Sequence, residues 1–401
     1  MAEVFTGSFT QQEPIPDAGI DAALAVLRHG RLHRYNLAEG EAGETTLLEE
    51  EFARQTGVAY ALAVASGGYA MGCALRAVGV QPGDQVLSNG FTLAPVPGAI
   101  ASLGAEPVFV ETTENLTIDL EDLTAKIETS CARVLLLSHM RGHLVDMPAL
   151  MKICDQAGVT VIEDCAHTMG AAWGGKASGT FGAVGCFSMQ TYKHINSGEG
   201  GLLITDDPEL AAKMILMSGS YMLYERHGAR PPAEVFDGLR LEMPNISGRM
   251  DNLRAAILRP QLADLDTQVA RWKDRYDTLA RGLAQVPGLH LTDRPAKETY
   301  VGSSFQFRLP GHPPETIQTF VAACAARGVE LKWFGADRPV AFTSRYDHWA
   351  YAPKQSLPQT DAVLAGLLDM RVPLTFSIED CALIARIIAH EARAILPQAA
   401  E

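Results

Sequence analysis

A chain of 401 residues is too long for one ordinary core and predicts two domains, or one large α/β domain with an appendage. With 47% apolar and 20% charged residues the composition is that of a globular protein, and a net charge of −14 argues against a nucleic-acid or anionic-membrane partner, either of which needs a basic field. No apolar run reaches the roughly 18 residues of a membrane helix, residues 1–16 lack the basic segment and apolar core of a leader, and the seven cysteines, scattered without a CxxC pair, fit core positions in a reducing cytoplasm better than disulfides or zinc ligands.

Between about residues 57 and 205, strand-like runs alternate with helical ones. The predicted strands are 59–65, 85–88, 107–111, 133–139, 160–165, 184–189 and 201–205. Several lack polar alternation, as strands covered on both faces do. The segments 69–78, 94–103, 120–127 and 148–157 carry helical periodicity. This is the βαβ rhythm of a mostly parallel sheet with helices on both faces. From 250 to 285 the pattern becomes one long helical stretch, with Pro260 near its beginning as the expected kink. A strand at 302–309, a helix at 315–327, a strand at 329–333, an irregular stretch to Pro358 and a final helix at 378–396 follow. The expected division is therefore an arm and large domain over 1–250, and a linking helix with a small α+β domain over 251–401.

Four features carry chemistry. Val64-Ala65-Ser66-Gly67-Gly68 reads as a strand ending in a small-residue turn that opens a helix, where backbone N–H groups can approach a phosphate. Val161-Ile162-Glu163-Asp164 ends a buried strand on a carboxylate, in the place where α/β sheets bind ligands. An aspartate there can hold a protonated pyridine nitrogen and so make the ring an electron sink. Lys193 follows a strand and precedes the turn Gly198-Glu199-Gly200-Gly201. Buried near other cations its amine would be neutral and able to form an imine, while Ser66 and Ser188 offer hydroxyls to a phosphate. Asn245 and Arg249 stand just ahead of the long helix. Each feature alone has an ordinary structural reading, as a tight turn, a helix cap or a solvated lysine. Their order favours one site.

Together these residues resemble the DegT/DnrJ/EryC1/StrS aminotransferase family, fold-type I enzymes that carry pyridoxal 5′-phosphate (PLP, or PMP in the aminated form). The resemblance is closest over about residues 45–260. It includes Gly83-Asp84, the run from Gly104 to Val110, Glu163-Asp164, Cys186-Phe187-Ser188, Lys193 and Gly198-Glu199-Gly200-Gly201. It implies that Lys193 carries PLP as a Schiff base and shuttles the proton, and that Asp164 pairs with the pyridine nitrogen. Phe91 would stack on the ring; Ser66, Gly67, Gly68 and Ser188 would bind phosphate. Asn245 would reach over from a second subunit, which implies a homodimer with shared active sites.

Three positions depart from the pattern. His167 stands where the family has glutamine beside the ring's phenolate, Gly68 replaces a customary hydroxyl residue, and Arg141 replaces an aromatic. Arg141 and Arg249, with Arg226 and Arg230, are candidates for a substrate carboxylate or phosphate. The spacing of His139 and His143 does not predict a metal pair. The stretch 333–349 is a candidate cover for the substrate. The implied activity is transfer of an amino group from L-glutamate or L-glutamine to a carbonyl acceptor, a keto-sugar or cyclitol. The alternatives are a small carboxylated acceptor, a sugar dehydratase and a PLP-binding protein without turnover. Lys193 disfavours the dehydratase, whose members carry histidine there. Without a G-x-G-x-x-G turn, a nicotinamide dehydrogenase is not expected.

Overall fold

The computed structural model describes residues 3–395. All seven predicted runs of the first half form strands: β1 (Tyr60–Val64), β2 (Gln85–Asn89), β3 (Glu106–Val110), β4 (Val134–Ser138), β5 (Thr160–Asp164), β6 (Val184–Ser188) and β7 (Gly201–Thr205). They lie side by side in the order β1-β7-β6-β5-β4-β2-β3. Pairing from β6 to β3 is parallel throughout, and β7 runs antiparallel to both β1 and β6. β4 shows why the runs are continuous: all five of its residues are buried, so neither face calls for a polar residue.

Helices cover both faces: α1 (Asp17–His29), α2 (Glu44–Thr56), α3 (Gly67–Ala77), α4 (Pro95–Ser102), α5 (Leu120–Thr129), α6 (Met147–Ala157) and α7 (Pro208–Ile215). Four of them begin at a capping side chain. Ser66, Asp119, Asp146 and Asp207 each accept a backbone N–H of the first turn of α3, α5, α6 and α7.

The long stretch after residue 250 is two helices, α8 (Asn252–Ala263) and α9 (Leu265–Leu283). The break falls at Asp264, four residues beyond the expected kink, and Pro260 sits inside α8. A proline forfeits one helical hydrogen bond, but Ala255, Leu258 and Leu262 are buried in the core beneath β1 and β7, which holds α8 together past it. α9 then spans two cores. Its Trp272 packs with Leu137 and Val161 below the large sheet, whereas Tyr276, Leu279 and Leu283 enter a second core.

That second core lies under a smaller antiparallel sheet of β8 (His290–Leu291), β9 (Ser304–Arg308), β10 (Lys332–Trp333) and β11 (Leu367–Arg371), in the order β8-β9-β11-β10. α10 (Pro314–Ala326) and α12 (Ile378–Ile395) close it, and Phe5 and Phe9 of the N-terminal arm complete it. The strand expected at 329–333 pairs only over its last two residues. α11 (Pro358–Ala365) and β11 are among the elements that were not expected. β11 lies between β9 and β10 and ends at the boundary with the large domain, where it matters for the site.

Candidate functional site

The strands β4, β5 and β6 end at one cavity of about 370 Å³, together with the turn that follows β1. One wall of it is the first turn of α3, whose N–H groups lack partners within the helix. Ser66 Oγ accepts the Tyr69 N–H at 3.1 Å, which sets the turn and leaves the hydroxyl proton free to donate. Gly67 is required by contact: a Cβ there would lie 2.8 Å from Ser188 Cβ, so its absence lets β6 and α3 close on each other. Gly68 is under no such pressure. A Cβ at that position would meet only Ser66 Oγ, at 3.9 Å.

Asp164 lines the cavity from the end of β5 and is buried. Its Oδ2 accepts from Ser138 Oγ and its Oδ1 from the Ala166 N–H, each at 3.1 Å. Burial nevertheless pushes its carboxyl above the usual range, against the pull of those donors and of Lys193. Lys193 reaches the same space from a loop closed on itself, in which Met189 N–H donates to Gly200 O and Lys193 N–H to Gln190 O. Its Nζ lies 2.9 Å from His167 Nε2. Burial first, and then the charges of Arg141 and Arg371, bring the ammonium from 10.5 down to about 7, with only Asp164 opposing. His167 is held well below its ordinary value by burial and by Lys193, so it is a neutral imidazole near neutral pH.

A second cavity, of about 200 Å³, opens on the other side of Lys193 and shares Leu93, His167 and Gln190 with the first. Arg141, Phe342 and Arg371 form much of its remaining wall. Arg141 sits in the short turn after β4 with a φ of 55° and is 7% exposed. Of the stretch 333–349, Phe342 therefore reaches the site, while Phe334 is buried against Phe91.

The structure brings Ser66, Gly67, Gly68, Asp164, His167, Ser188 and Lys193 together around one space and sets Arg141 beside it. Phe91 is a correction. Its ring is 1% exposed, packs edge-on to Phe334 at 5.0 Å and lines neither cavity; Leu93, two residues on, lines both. Asn245 and Arg249 also lie outside both cavities within the one chain. Asn245 is exposed with its Oδ1 on the Ser247 N–H, and Arg249 Nη1 donates to Gly219 O at 2.6 Å. Arg230 turns to the backbone carbonyl of Pro231, and Arg226 ends a short helical turn away from the cavities.

His139 and His143 do not converge either, the first meeting Glu163 Oε2 at 2.9 Å and the second Gln306 Oε1 at 2.8 Å. His139, Glu163 and Cys165 are close enough to surround an ion, but Glu163 already accepts the N–H groups of Gly179, Phe181 and Gly182 and so holds that loop. His194, next to Lys193, faces Ser303 and Trp272. Sequence reasoning missed Leu93, Ser138 and Arg371. The first two were adjacent to segments already singled out, and Arg371 lay on the unexpected strand.

The sequence model of the DegT/DnrJ/EryC1/StrS aminotransferase family matches residues 21–389. The chain belongs to that family. It is 32% identical to L-glutamine:2-deoxy-scyllo-inosose aminotransferase of Streptomyces kanamyceticus, over 76% of this chain and 68% of that protein. It is also 32% identical to 3-amino-5-hydroxybenzoate synthase of Amycolatopsis mediterranei (strain S699), over 80% of this chain and 82% of that one. The crystal structure of a 3-amino-5-hydroxybenzoic acid synthase superposes with a TM-score of 0.82 at 28% identity, covering 98% of this chain and all of the other. DesV of Streptomyces venezuelae gives 0.78, also at 28% identity, over 93% and 94%.

The fold is that of fold-type I, and the family member described here is a PLP-dependent aminotransferase. Its residues fit the cofactor. The cradle at Gly67 would be filled by a Cβ, burial and neighbouring charges lower the Lys193 amine to about 7, and Asp164 is a buried carboxyl facing the cavity. No helix among the described residues is long and apolar enough to cross a membrane.

The two glycines should respond in opposite ways. Gly67→Ala forces Ser188 away and is expected to weaken PLP binding by about tenfold or more, the loss of a hydrogen bond to a charged group. Gly68→Ser has room and adds a donor at the mouth, so its affinity should equal or exceed that of the wild type. Fluorescence titration of the cofactor-free protein with PLP checks both, and equal weakening in the two variants would place the phosphate elsewhere.

Proposed function

We propose that this aminotransferase takes nitrogen from L-glutamate or L-glutamine and delivers it to a ring ketone of the keto-sugar or cyclitol class. The observation that carries the reading is the buried Lys193 amine, lowered to about 7 and set against His167, between a carboxylate floor and a helix mouth. The substrate class is supported by relatives named for such acceptors. Besides the inosose aminotransferase, the dTDP-3-amino-3,4,6-trideoxy-alpha-D-glucose transaminase of Streptomyces venezuelae is 34% identical over 68% of each chain.

The geometry supports a role for each residue. Bound PLP supplies an electron sink that lets the amino nitrogen leave one carbon and reach another. The first turn of α3, with Ser66, Gly67, Gly68 and Ser188, holds the phosphate at the positive end of the helix. Asp164 would keep its charge against a cationic pyridine nitrogen and so would hold that nitrogen protonated. His167 Nε2 holds Lys193 Nζ in place, and Nζ would act as the base that takes the proton from the donor's α-carbon and then as the acid that gives that proton up on the cofactor side, so that none is left on the amine.

Asn245 acts in a homodimer, reaching the phosphate of the partner's site. It lies exposed among apolar side chains that a monomer leaves bare, with Tyr221 at 58%, Leu241 at 84% and Ile246 at 39% exposure. Sedimentation of the purified protein at the mass of one chain would remove that role.

The reaction is tested by single turnover. Incubated with L-glutamate or L-glutamine and no acceptor, the PLP-loaded enzyme should form one equivalent of the donor's keto acid per chain and stop. Adding a ring ketone should restart it, with the donor nitrogen, traced by isotope, in the product. Failure of every α-amino donor to aminate the cofactor would sink the proposal.

A further inference from the structure

The cavity on the far side of Lys193 is built for an anion. Arg141 and Arg371 both face it, and across the shared wall lies Lys193. A single buried carboxylate, Asp369, answers them. Asp369 Oδ2 lies 2.9 Å from Arg141 Nη2, yet the pair is poorly aligned: neither Nε nor Nη2 of Arg141 has a hydrogen-bond acceptor, and Asp369 Oδ2 has no donor. The other oxygen, Oδ1, is taken by Gln306 Nε2 at 2.6 Å. Arg371 has no ion pair among the described residues. Its guanidinium lies 3.6 Å from the centre of the Tyr192 ring and 5.3 Å from that of Phe342, over which Arg141 also sits at 4.3 Å.

Two guanidinium groups against one carboxylate leave the wall with a net positive charge. Stacking on ring faces uses the flat sides of the guanidinium and leaves its N–H edge for a planar anion. Buried donors without acceptors are costly to the empty protein and are satisfied when a ligand supplies the acceptor. Arg141 is further held in a backbone conformation that side chains seldom adopt, with a φ of 55°. Serines 303 and 304 border the same space with hydroxyl groups.

We propose that Arg141 and Arg371 form a carboxylate subsite beside the reacting centre, with Tyr192 and Phe342 as its apolar walls. The ligand is the carboxylate of the amino donor or one carried on the acceptor's ring. In either case it is held one cavity away from the cofactor space, with Lys193 Nζ between them. The subsite rests on the aminotransferase reading only for what reacts; that it binds carboxylates can be measured without turnover.

The probe is benzoate, with uncharged benzamide as its control, titrated into the PLP-loaded enzyme and followed by the cofactor's absorbance and by calorimetry. Benzoate should bind more tightly than benzamide. Arg371→Met should weaken benzoate by about tenfold or more, the worth of a charge-assisted hydrogen bond, and leave benzamide unchanged. Arg371→Lys should recover part of the loss. Because Arg141→Met alone strands Asp369, the paired variant Arg141→Met/Asp369→Asn is the second probe and should weaken benzoate as well.

The source of the carboxylate is read from the donor half-reaction. A half-saturation for L-glutamate that rises in Arg371→Met by more than the maximal rate changes assigns the subsite to the donor. An unchanged one, with benzoate binding lost, assigns it to the acceptor. Equal affinity for benzoate in wild type and both variants, or equal affinity for benzoate and benzamide in the wild type, overturns the subsite. Benzoate binding as expected in an enzyme that no amino donor discharges would leave the subsite standing and remove the proposed reaction instead.

Discussion

Lys193→Ala is expected to reduce turnover by about 10³-fold or more, because under the proposed mechanism the variant loses both the amine that would carry the cofactor and the group that would move the proton. The cofactor's visible absorbance should change with it, and the protein should remain folded, since Lys193 forms no ion pair among the described residues and its loop is closed by backbone hydrogen bonds. A stability measurement separates this role from a structural one. In the cofactor-free chain Lys193 is held at about 7 against 10.5, by burial and by Arg141 and Arg371, with Asp164 opposing and His167 and His194 neutral beside it. The unfolded chain therefore binds more protons between those two values, so stability rises with pH across that window. The penalty of the buried charge is full below about pH 7. Lys193→Met removes the penalty. Thermal unfolding of the cofactor-free proteins should show the variant favoured most below pH 7, with the difference fading towards 10.5. A variant less stable than wild type across the whole range would mean that the lysine is part of the framework, and the activity loss would then lose its catalytic meaning.

What the sequence reveals and conceals follows from the range of the interactions. The seven strands of the large sheet are legible because both faces are covered, so each is a short apolar run bounded by turns, as in β4. Lys193, Asp164 and Ser66 are legible for a related reason: each stands where a strand ends, and the parallel topology carries all such ends to one side. Arg371 was hidden because β11 reads Leu-Leu-Asp-Met-Arg. The charge at Asp369 interrupts the apolar run, and the partners that make it tolerable, Arg141 and Gln306, lie far away in sequence. Phe91 was expected from the family resemblance, whereas the course of the backbone after β2 decides which side chain meets the cavity. Pro260 misled in the opposite direction. Its local preference is to end a helix, and the packing of α8 overrides it.

Asp164→Asn separates charge from shape at the floor of the site, and its expected result is a large loss of activity in a well-folded protein. Asn keeps the volume: its Oδ1 can still accept the Ala166 N–H, and its Nδ2 can donate to Ser138 Oγ, a hydroxyl that accepts as well as donates, so the end of β5 should stay in place. What it cannot do is balance a positive pyridine nitrogen. The electron sink weakens accordingly, and turnover should fall by about 10²–10⁴-fold, the range of a lost acid–base partner. The stability of the cofactor-free chain should move the other way. Burial raises the Asp164 carboxyl above 3.8, so the folded chain bears a cost for ionising it. That cost is absent below 3.8, where both states are protonated, and grows as pH rises through the folded value. At neutral pH the Asn variant without cofactor should therefore melt at or above the wild-type temperature while PLP binding weakens. The two measurements together are decisive, because a framework carboxylate would lose stability when neutralised and a cofactor partner would lose affinity and turnover instead. Turnover near the wild-type level in Asp164→Asn would show that the charge facing the cavity has no part in the reaction.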